Sequence, residues 1–438
     1  MEVQMSVQTN SIPSTLPINT SRPITISGAW TTLFILTIVY TVNIADRYVL
    51  STLIEPIKQE FHLSDASVGF LTGVALAIFY VSVGLPLGVL ADRGNRKRMI
   101  AAAVAVWSCM TLLCGMSANF WHLLLARIGV GIGEAGGTPP SHSILSDRFP
   151  PKLRAFALSI FGIGASLGAW LGASGAGYLN DAFGWRTTLM VFGACGVPVA
   201  LLVWLFVREP KRINDDTQTK LADTDTATLK ESISYIFKNK ALLHVMSGAT
   251  IITFWGWGIL WWTPAFLVRS YSLSVGGAGE LLGPIHGIAG TALMLLTVAV
   301  MLHLRDKPIT GQPAFIAWTT LLGTFFSFGV FATDDLEHVK LLLWLFVPIT
   351  YIYIGPTTGL VQNLFPANMR AKGSAILLLV ANLANLAIAP QLIGVLSDLI
   401  APHINKPNDS LRYVLLGCSF TGLWASYHYW AAAKHMKG

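Results

Sequence analysis

Charge is the scarcest property of this sequence. Of 438 residues, 29 are Lys or Arg and 22 are Asp or Glu, together 12%, about half the roughly 25% carried by a soluble domain. So few charges cannot clothe a water-facing surface of this size, which excludes an ordinary cytosolic enzyme and a disordered chain. Cysteine is nearly absent too. Cys109, Cys114, Cys195 and Cys418 sit inside apolar runs without metal-ligand spacing, so neither a disulfide framework nor a zinc site is indicated. No GxxxxGK[ST] phosphate loop occurs, which leaves a gradient as the energy source for any active process. No Ser/His/Asp set or His/Asp metal cluster stands at a membrane boundary, so a polytopic enzyme is disfavoured. No cofactor and no metal are expected. The net charge of +7 would suit nucleic acid, but its distribution points to a membrane instead.

What is abundant is apolar length. Hydrophobic residues make up 53%, with 22 Phe and 14 Trp, and a helix crossing the hydrocarbon core needs about 20 mostly apolar residues. Such runs occur at 28–54, 66–91, 98–117, 120–146, 154–180 and 186–207, then at 242–268, 276–303, 311–333, 338–364, 372–398 and 410–434. These twelve are numbered spans 1 to 12. The pattern predicts an all-α membrane protein of twelve transmembrane helices in two six-helix bundles, 28–207 and 241–438. Residues 1–27, rich in Ser, Thr, Pro and Asn, read as a flexible tail rather than a cleaved signal. The polar linker 208–240 contains Leu229–Lys238, whose apolar residues recur at helical spacing. This segment suits either an amphipathic helix on the bilayer surface or a solvated connector.

An even number of spans places both termini on one side, and basic residues choose the side. The side that carries the termini holds 21 Lys and Arg, and the other holds six: Lys58, Arg186, Arg269, Lys340, Lys406 and Arg412. Both termini are therefore expected in the cytoplasm.

The two halves echo each other. Phe149-Pro150-Pro151-Lys152-Leu153-Arg154-Ala155 matches Phe365-Pro366-Ala367-Asn368-Met369-Arg370-Ala371, and Gly177-Tyr178-Leu179-Asn180-Asp181 matches Gly394-Val395-Leu396-Ser397-Asp398. The offsets are 216 and 217 residues, so both pairs stand in one register, before and after the fifth span of each half. Duplicated six-helix halves imply a pathway between them. That is the architecture of a transporter.

Between spans 2 and 3 stands Gly88-Val89-Leu90-Ala91-Asp92-Arg93-Gly94-Asn95-Arg96-Lys97-Arg98. It resembles the loop signature of the major facilitator superfamily, with Asn95 where a Gly is usual. Asn43-Ile44-Ala45-Asp46-Arg47-Tyr48 and Arg127-Ile128-Gly129-Val130-Gly131-Ile132-Gly133-Glu134-Ala135 are similar to the spinster branch. The resemblance covers essentially 28–434 and implies the major facilitator fold in two pseudo-symmetric halves. Animal members of that branch export sphingosine-1-phosphate or lysophospholipids, so the resemblance implies a lysolipid-like substrate for a member of bacterial type in the inner (plasma) membrane. In the signature, Asp92, Arg93 and Arg96 are candidate gating residues. Asp92 ends span 2, where it can face the positive N-terminal end of a second-half helix such as span 11. The alternative is an ordinary helix cap. The second half has Leu304-Arg305-Asp306-Lys307 at the corresponding place, so a symmetric second latch of this type is not expected.

Two acids, Asp46 and Glu134, fall deep within predicted spans, accompanied by Arg47 and Arg127. Each such charge costs roughly 2.5–3.5 kcal/mol on insertion scales, so partners are expected. Arg127 and Glu134 are two helical turns apart on one face of span 4, and the glycines between them allow a neighbouring helix to approach. If spans 1 and 4 pack together, Asp46 can meet Arg127. Burial favours the protonated form of a carboxyl and a guanidinium opposes it, so Asp46, Arg127 and Glu134 form a candidate proton-coupling set. A static ion pair and direct contact with a ligand headgroup stand as alternatives. The GxGxxG string in Gly131–Gly136 lies inside a membrane span, not between a strand and a helix, and does not signal a nucleotide.

Candidate substrate-binding residues are Arg47, His142, Trp255, Asn382 and Asn385. Aromatic walls suit an amphiphile, and among the tryptophans of span 7 Trp255 is favoured over Trp261 and Trp262 for a cavity. Asn382 and Asn385 share a helix face and suit hydrogen bonding to a ligand or a neighbouring helix. Arg47 can instead snorkel to a surface, and His286 reads as a packing residue. Gly164, Gly168, Gly172 and Ala176 form a small-residue ridge on span 5. Ala169 and Ala173 depart from the superfamily's antiporter motif there. The reading is a monomeric carrier whose expected partners are protons, membrane lipids and an amphiphilic lysolipid-like substrate, with no nucleic acid. The alternative substrate is a small organic anion whose carboxylate is held by Arg127.

Overall fold

The computed structural model describes residues 28–210, 228–304 and 308–436. The tail 1–27 and most of the linker lie outside the described residues, as do the side chains of Asp92 and Arg93. Among the described residues the chain is helical and has no strand. Span 1 is Ala29–Thr52. Span 2 runs through Asp65–Gly69, Phe70–Val74 and Ala75–Arg93. Span 3 is Arg96–Gly115. Span 4 is broken into Phe120–Ala135 and Thr138–Arg148. Spans 5 and 6 form Pro151–Phe206, bent where Gly184 takes φ 78°, a backbone conformation that favours glycine.

The second half follows the same plan. Span 7 is Lys240–Thr253, Phe254–Gly258 and Ile259–Tyr271. Span 8 is Val275–Pro284, Ile285–Gly290 and Thr291–Leu304. Span 9 is Gly311–Ala332, and span 10 is Leu336–Ile349 with Ile354–Leu364. Span 11 is Arg370–Asn382, Leu383–Ile388 and Ala389–Ile400. Span 12 is Ser410–Ser419 with Thr421–His435. Among the described residues, nine helices are long and apolar enough to cross a membrane. The bend at Gly184 makes two spans of one of them, and spans 4 and 12, each broken once and richer in polar residues, complete the twelve.

The middle segments of spans 2, 7, 8 and 11 are single wide turns, which swing the side chains that follow them onto a new face. The helix starts explain themselves locally. Asn95, Asn119 and Asn239 each accept a hydrogen bond from the backbone three residues on, which stops spans 3, 4 and 7 from beginning earlier.

Buried apolar side chains gather into two large clusters, one drawn chiefly from spans 1–6 and one from spans 7–12. Large apolar side chains such as Trp121, Leu125, Leu171, Leu295, Trp318 and Phe325 are exposed on the perimeter, as lipid-facing positions require. The small-residue ridge of span 5 seats span 1. A Cβ at Gly168 would lie 2.5 Å from the Thr41 carbonyl oxygen, and one at Gly172 would lie 2.6 Å from that of Ala45. Packing is what this ridge does.

Helix Leu229–Lys238 stands in front of span 7. Thr228 accepts from the Glu231 N–H and the Glu231 carboxylate accepts from the Thr228 N–H, a reciprocal cap. The Thr228 backbone hydrogen bond holds the Glu231 carboxyl below its usual range. Ser232 and Ile236 are buried and Tyr235 donates to the Leu364 carbonyl, while Leu229, Ile233 and Phe237 form an exposed apolar stripe.

Candidate functional site

Spans 1, 3 and 4 bring four embedded charges together. Arg127, fully buried on span 4, places Nη1 3.3 Å from Asp46 Oδ2 on span 1. Thr111 on span 3 donates to Asp46 Oδ1 at 2.6 Å, so that carboxylate is held from two sides. One residue on, Arg47 reaches the other acid: its Nε and Nη2 lie 2.8 and 2.7 Å from Glu134 Oε2. Glu134 Oε1 has no hydrogen-bond partner. The result is two crossed pairs, Asp46–Arg127 and Arg47–Glu134, spanning the same two helices. Span 4 breaks immediately after Glu134, at Gly136 and Gly137.

The pairs differ in exposure. The Arg127 side chain is 0% exposed, whereas that of Arg47 is 18% exposed and lines a cavity of about 330 Å³ between the halves. Arg47 does not snorkel to a surface. Other walls of this cavity are Tyr40, Tyr48, Trp257, Trp261, Tyr353, Asn382 and Asn385. Arg47 is the one charged side chain among the described lining residues. Below it, His286 Nδ1 is 2.8 Å from the Tyr351 hydroxyl, and the His286 ring meets Tyr48 edge-on at 4.9 Å.

Two expected cavity residues lie elsewhere. Trp255 is fully buried in the second-half core, where Nε1 donates to Ser327 Oγ at 3.2 Å and the ring packs on Phe346. Trp262, seven residues on, shares that core-facing side, and its Nε1 donates to the Pro390 carbonyl. Trp257 and Trp261, four apart, point the other way into the cavity. The wide turn Phe254–Gly258 sits at the point where this register is set. His142 packs edge-on against Phe161 and does not line the cavity. Arg96, expected at a gate, braces the first half instead. It bonds Glu209 Oε1 at 2.8 Å, Asp147 Oδ2 at 2.5 Å and Ser143 Oγ at 2.7 Å.

The two faces of the molecule are unequal. Among the described residues, the hydrogen bonds joining the halves lie at mid-span or toward the face opposite the termini. Ser166 meets Thr291 at mid-span, and Trp261 Nε1 donates to Thr72. Farther out, Arg269 of span 7 binds Glu55 and Asp65 of the first half, with Nε–Oε1 2.6 Å, Nη1–Oδ2 2.7 Å and Nη2–Oδ1 2.7 Å. Lys58 adds a contact of 2.5 Å to Asp65. A polar recess lined by Gln59, His62, Asp398 and Asn408 lies above this knot.

Two helical halves that clasp on one face around an aromatic cavity, with ion pairs buried in one half, define a membrane carrier. The sequence pattern of the Major Facilitator Superfamily matches residues 36–389, and the chain belongs to that family of transporters. It is similar to an MFS-type efflux pump of Mycolicibacterium smegmatis, at 28% identity over 93% of this chain and 94% of that one. It is 27% identical to the sphingosine-1-phosphate transporter SPNS2 of Danio rerio, over 86% of this chain and 79% of the relative. Protein spinster homolog 1 of Homo sapiens is likewise 27% identical, over 87% and 76%. Among solved structures, a bacterial homolog of the human lysosomal transporter spinster in an inward-facing, unoccupied conformation superposes with a TM-score of 0.80. That match has 26% identity and covers 95% of this chain and 98% of the other.

Proposed function

We propose that the protein is a secondary active transporter that works by alternating access, moves an amphiphile of lysolipid or sphingosine-phosphate type, and couples this to protons through Asp46, Arg127 and Glu134. The observation that carries the reading is the double placement of Arg47, which lines the cavity and pairs with Glu134. An anionic headgroup entering the cavity competes with Glu134 for that guanidinium. A carboxylate that loses its partner in a low-dielectric site is costly unless it takes up a proton, and Glu134 Oε1 is free to receive one. Anion and proton then bind together. Asp46, held by Arg127 and Thr111, keeps the second pair intact while the first opens.

The aromatic and tyrosine-rich walls support an amphiphile, since they offer apolar area for a chain and hydroxyls for a headgroup. The names of the relatives point the same way. A small organic anion is the alternative that Arg47 alone would satisfy. Titrating the purified protein with sphingosine-1-phosphate, a lysophospholipid and short carboxylic acids separates the two: saturable binding of the lipids alone supports the amphiphile, and binding of the short acids alone rejects it.

Basic residues favour a cytoplasmic position for the face that carries the termini, in the plasma membrane of a bacterial cell. On that reading the halves 28–207 and 241–438 rock against each other as a monomer, and the clasped far face makes this the inward-open state. Asp92 and Arg93 are assigned to the inner gate on the loop signature. Helix Leu229–Lys238 rests on the inner leaflet with its exposed stripe among the lipids and Lys230 and Lys238 toward anionic headgroups.

A further inference from the structure

The duplicated pentapeptide at the ends of spans 5 and 11 does the same thing twice, across the two halves. Asp398, which closes Gly394-Val395-Leu396-Ser397-Asp398, accepts the Asp65 N–H at 2.9 Å and the Ala66 N–H at 2.7 Å at the start of span 2. Asp181, which closes Gly177-Tyr178-Leu179-Asn180-Asp181, accepts the Gly276 N–H at 3.0 Å at the start of span 8. Each recipient span opens on its own serine cap: Ser64 accepts from Ser67 N–H and Ser274 from Gly277 N–H. Ala66 and Gly276 are therefore the same position, second in the helix, whose amide no intrahelical carbonyl can satisfy.

The glycine of each pentapeptide completes the match. A Cβ at Gly177 would lie 2.8 Å from the Val275 carbonyl oxygen, and one at Gly394 would collide with that of Asp65. Val275 and Asp65 are again equivalent, each first after its serine. Glycine lets one helix end press on the other half's helix start, and an aspartate one turn later, on the same face, takes the free amide.

We propose that Asp181 and Asp398 are the paired latches of the outer gate, each half of the molecule closing the other's helix terminus. The inference rests on the alternating-access reading above. The latches are unequal. Asp398 accepts two amides, and Ser397 beside it donates to Asp65 Oδ2 at 2.7 Å, inside the Arg269 knot. Around Asp181 the neighbouring cross-half bond is Ser174 Oγ to the Gly279 carbonyl. When the far face opens, both carboxylates and both helix starts pass to water, so the latch energy counts only in the outer-closed state. The serine caps are local to one helix and persist in both states.

Spin labels at Gln59 and Asn408, one on each half beside the outer recess, report the opening by double electron–electron resonance on the full-length protein in liposomes. Asp398→Ala is expected to raise the outer-open fraction roughly fivefold, the worth of a lost helix cap, and Asp181→Ala by less. Asp398→Asn keeps one acceptor but turns an NH2 toward the second amide, so it is expected to fall between wild type and Asp398→Ala. Ser64→Ala and Ser274→Ala weaken the helix starts held by Asp398 and Asp181 respectively in both states and leave the distribution unchanged, which separates a latch from general loosening. If wild type shows two distances and neither alanine variant shifts their ratio, the latch assignment is wrong. If wild type shows a single distance at every pH and ligand concentration, alternating access itself fails and the latches fall with it.

Discussion

Arg47 and Glu134 meet at 2.7 Å across spans 1 and 4, and the Arg47 side chain also faces the central cavity. One guanidinium thus answers to two anions, a fixed one behind it and a mobile one in front. Lysine at position 47 keeps the charge but not the two-pronged grip on a single carboxylate oxygen and a headgroup. Arg47→Lys is expected to fold, to bind a lipid phosphate at least tenfold more weakly by calorimetry, and to retain its thermal midpoint within a few degrees.

Asp46 and Arg127 form the more deeply buried pair, and Thr111 donates to the same carboxylate. Removing one partner of a buried ion pair costs about 3–5 kcal/mol because the other charge is stranded. Asp46→Ala should therefore lower thermal stability in detergent sharply. Thr111→Val removes one hydrogen bond to the same carboxylate and should cost about 1–3 kcal/mol. The double variant should cost less than the sum, because both act on one carboxylate.

The tryptophans of span 7 divide by side of the helix. Trp255→Ala empties a packed core position and should cost about 3–5 kcal/mol, with a matching fall in the amount of folded protein. Trp257→Ala removes a cavity wall, so it should leave the thermal midpoint nearly unchanged and weaken ligand binding.

Glycines of span 5 give a second contrast. Gly162 lines the cavity and a Cβ there meets nothing within 4 Å, whereas Gly168 lies against the span 1 backbone. Gly162→Phe should yield stable protein that transports poorly. Gly168→Leu should fail to accumulate in folded form, as judged by size-exclusion chromatography.

Much of this was legible in the chain alone, and the reasons are physical. Span lengths follow from bilayer thickness, and the pairing of Asp46 with Arg127 follows from the cost of an unpaired charge in lipid. The partner of Arg47 was not legible, because which of two adjacent residues faces span 4 depends on helix rotation. Trp255 was misplaced for a related reason: four tryptophans within eight residues cannot be sorted by spacing alone when a wide turn lies among them. Thr111, Tyr351 and Tyr353 carried no charge to draw attention, although Tyr351 and Tyr353 fall where span 10 breaks, in register with the break of span 4. The pentapeptide repeat was visible as a pattern, but its task appeared only once each copy was seen on the opposite half.

The most direct test of the account is the proton itself. Wild-type protein and the Glu134→Gln and Asp46→Asn variants are reconstituted in liposomes with a pH-sensitive dye inside, and sphingosine-1-phosphate or a lysophospholipid is added. Coupling through the embedded acids predicts a ligand-dependent pH change in wild type that is lost in Glu134→Gln and reduced in Asp46→Asn, with lipid binding retained. A pH change of undiminished size in both variants would contradict it.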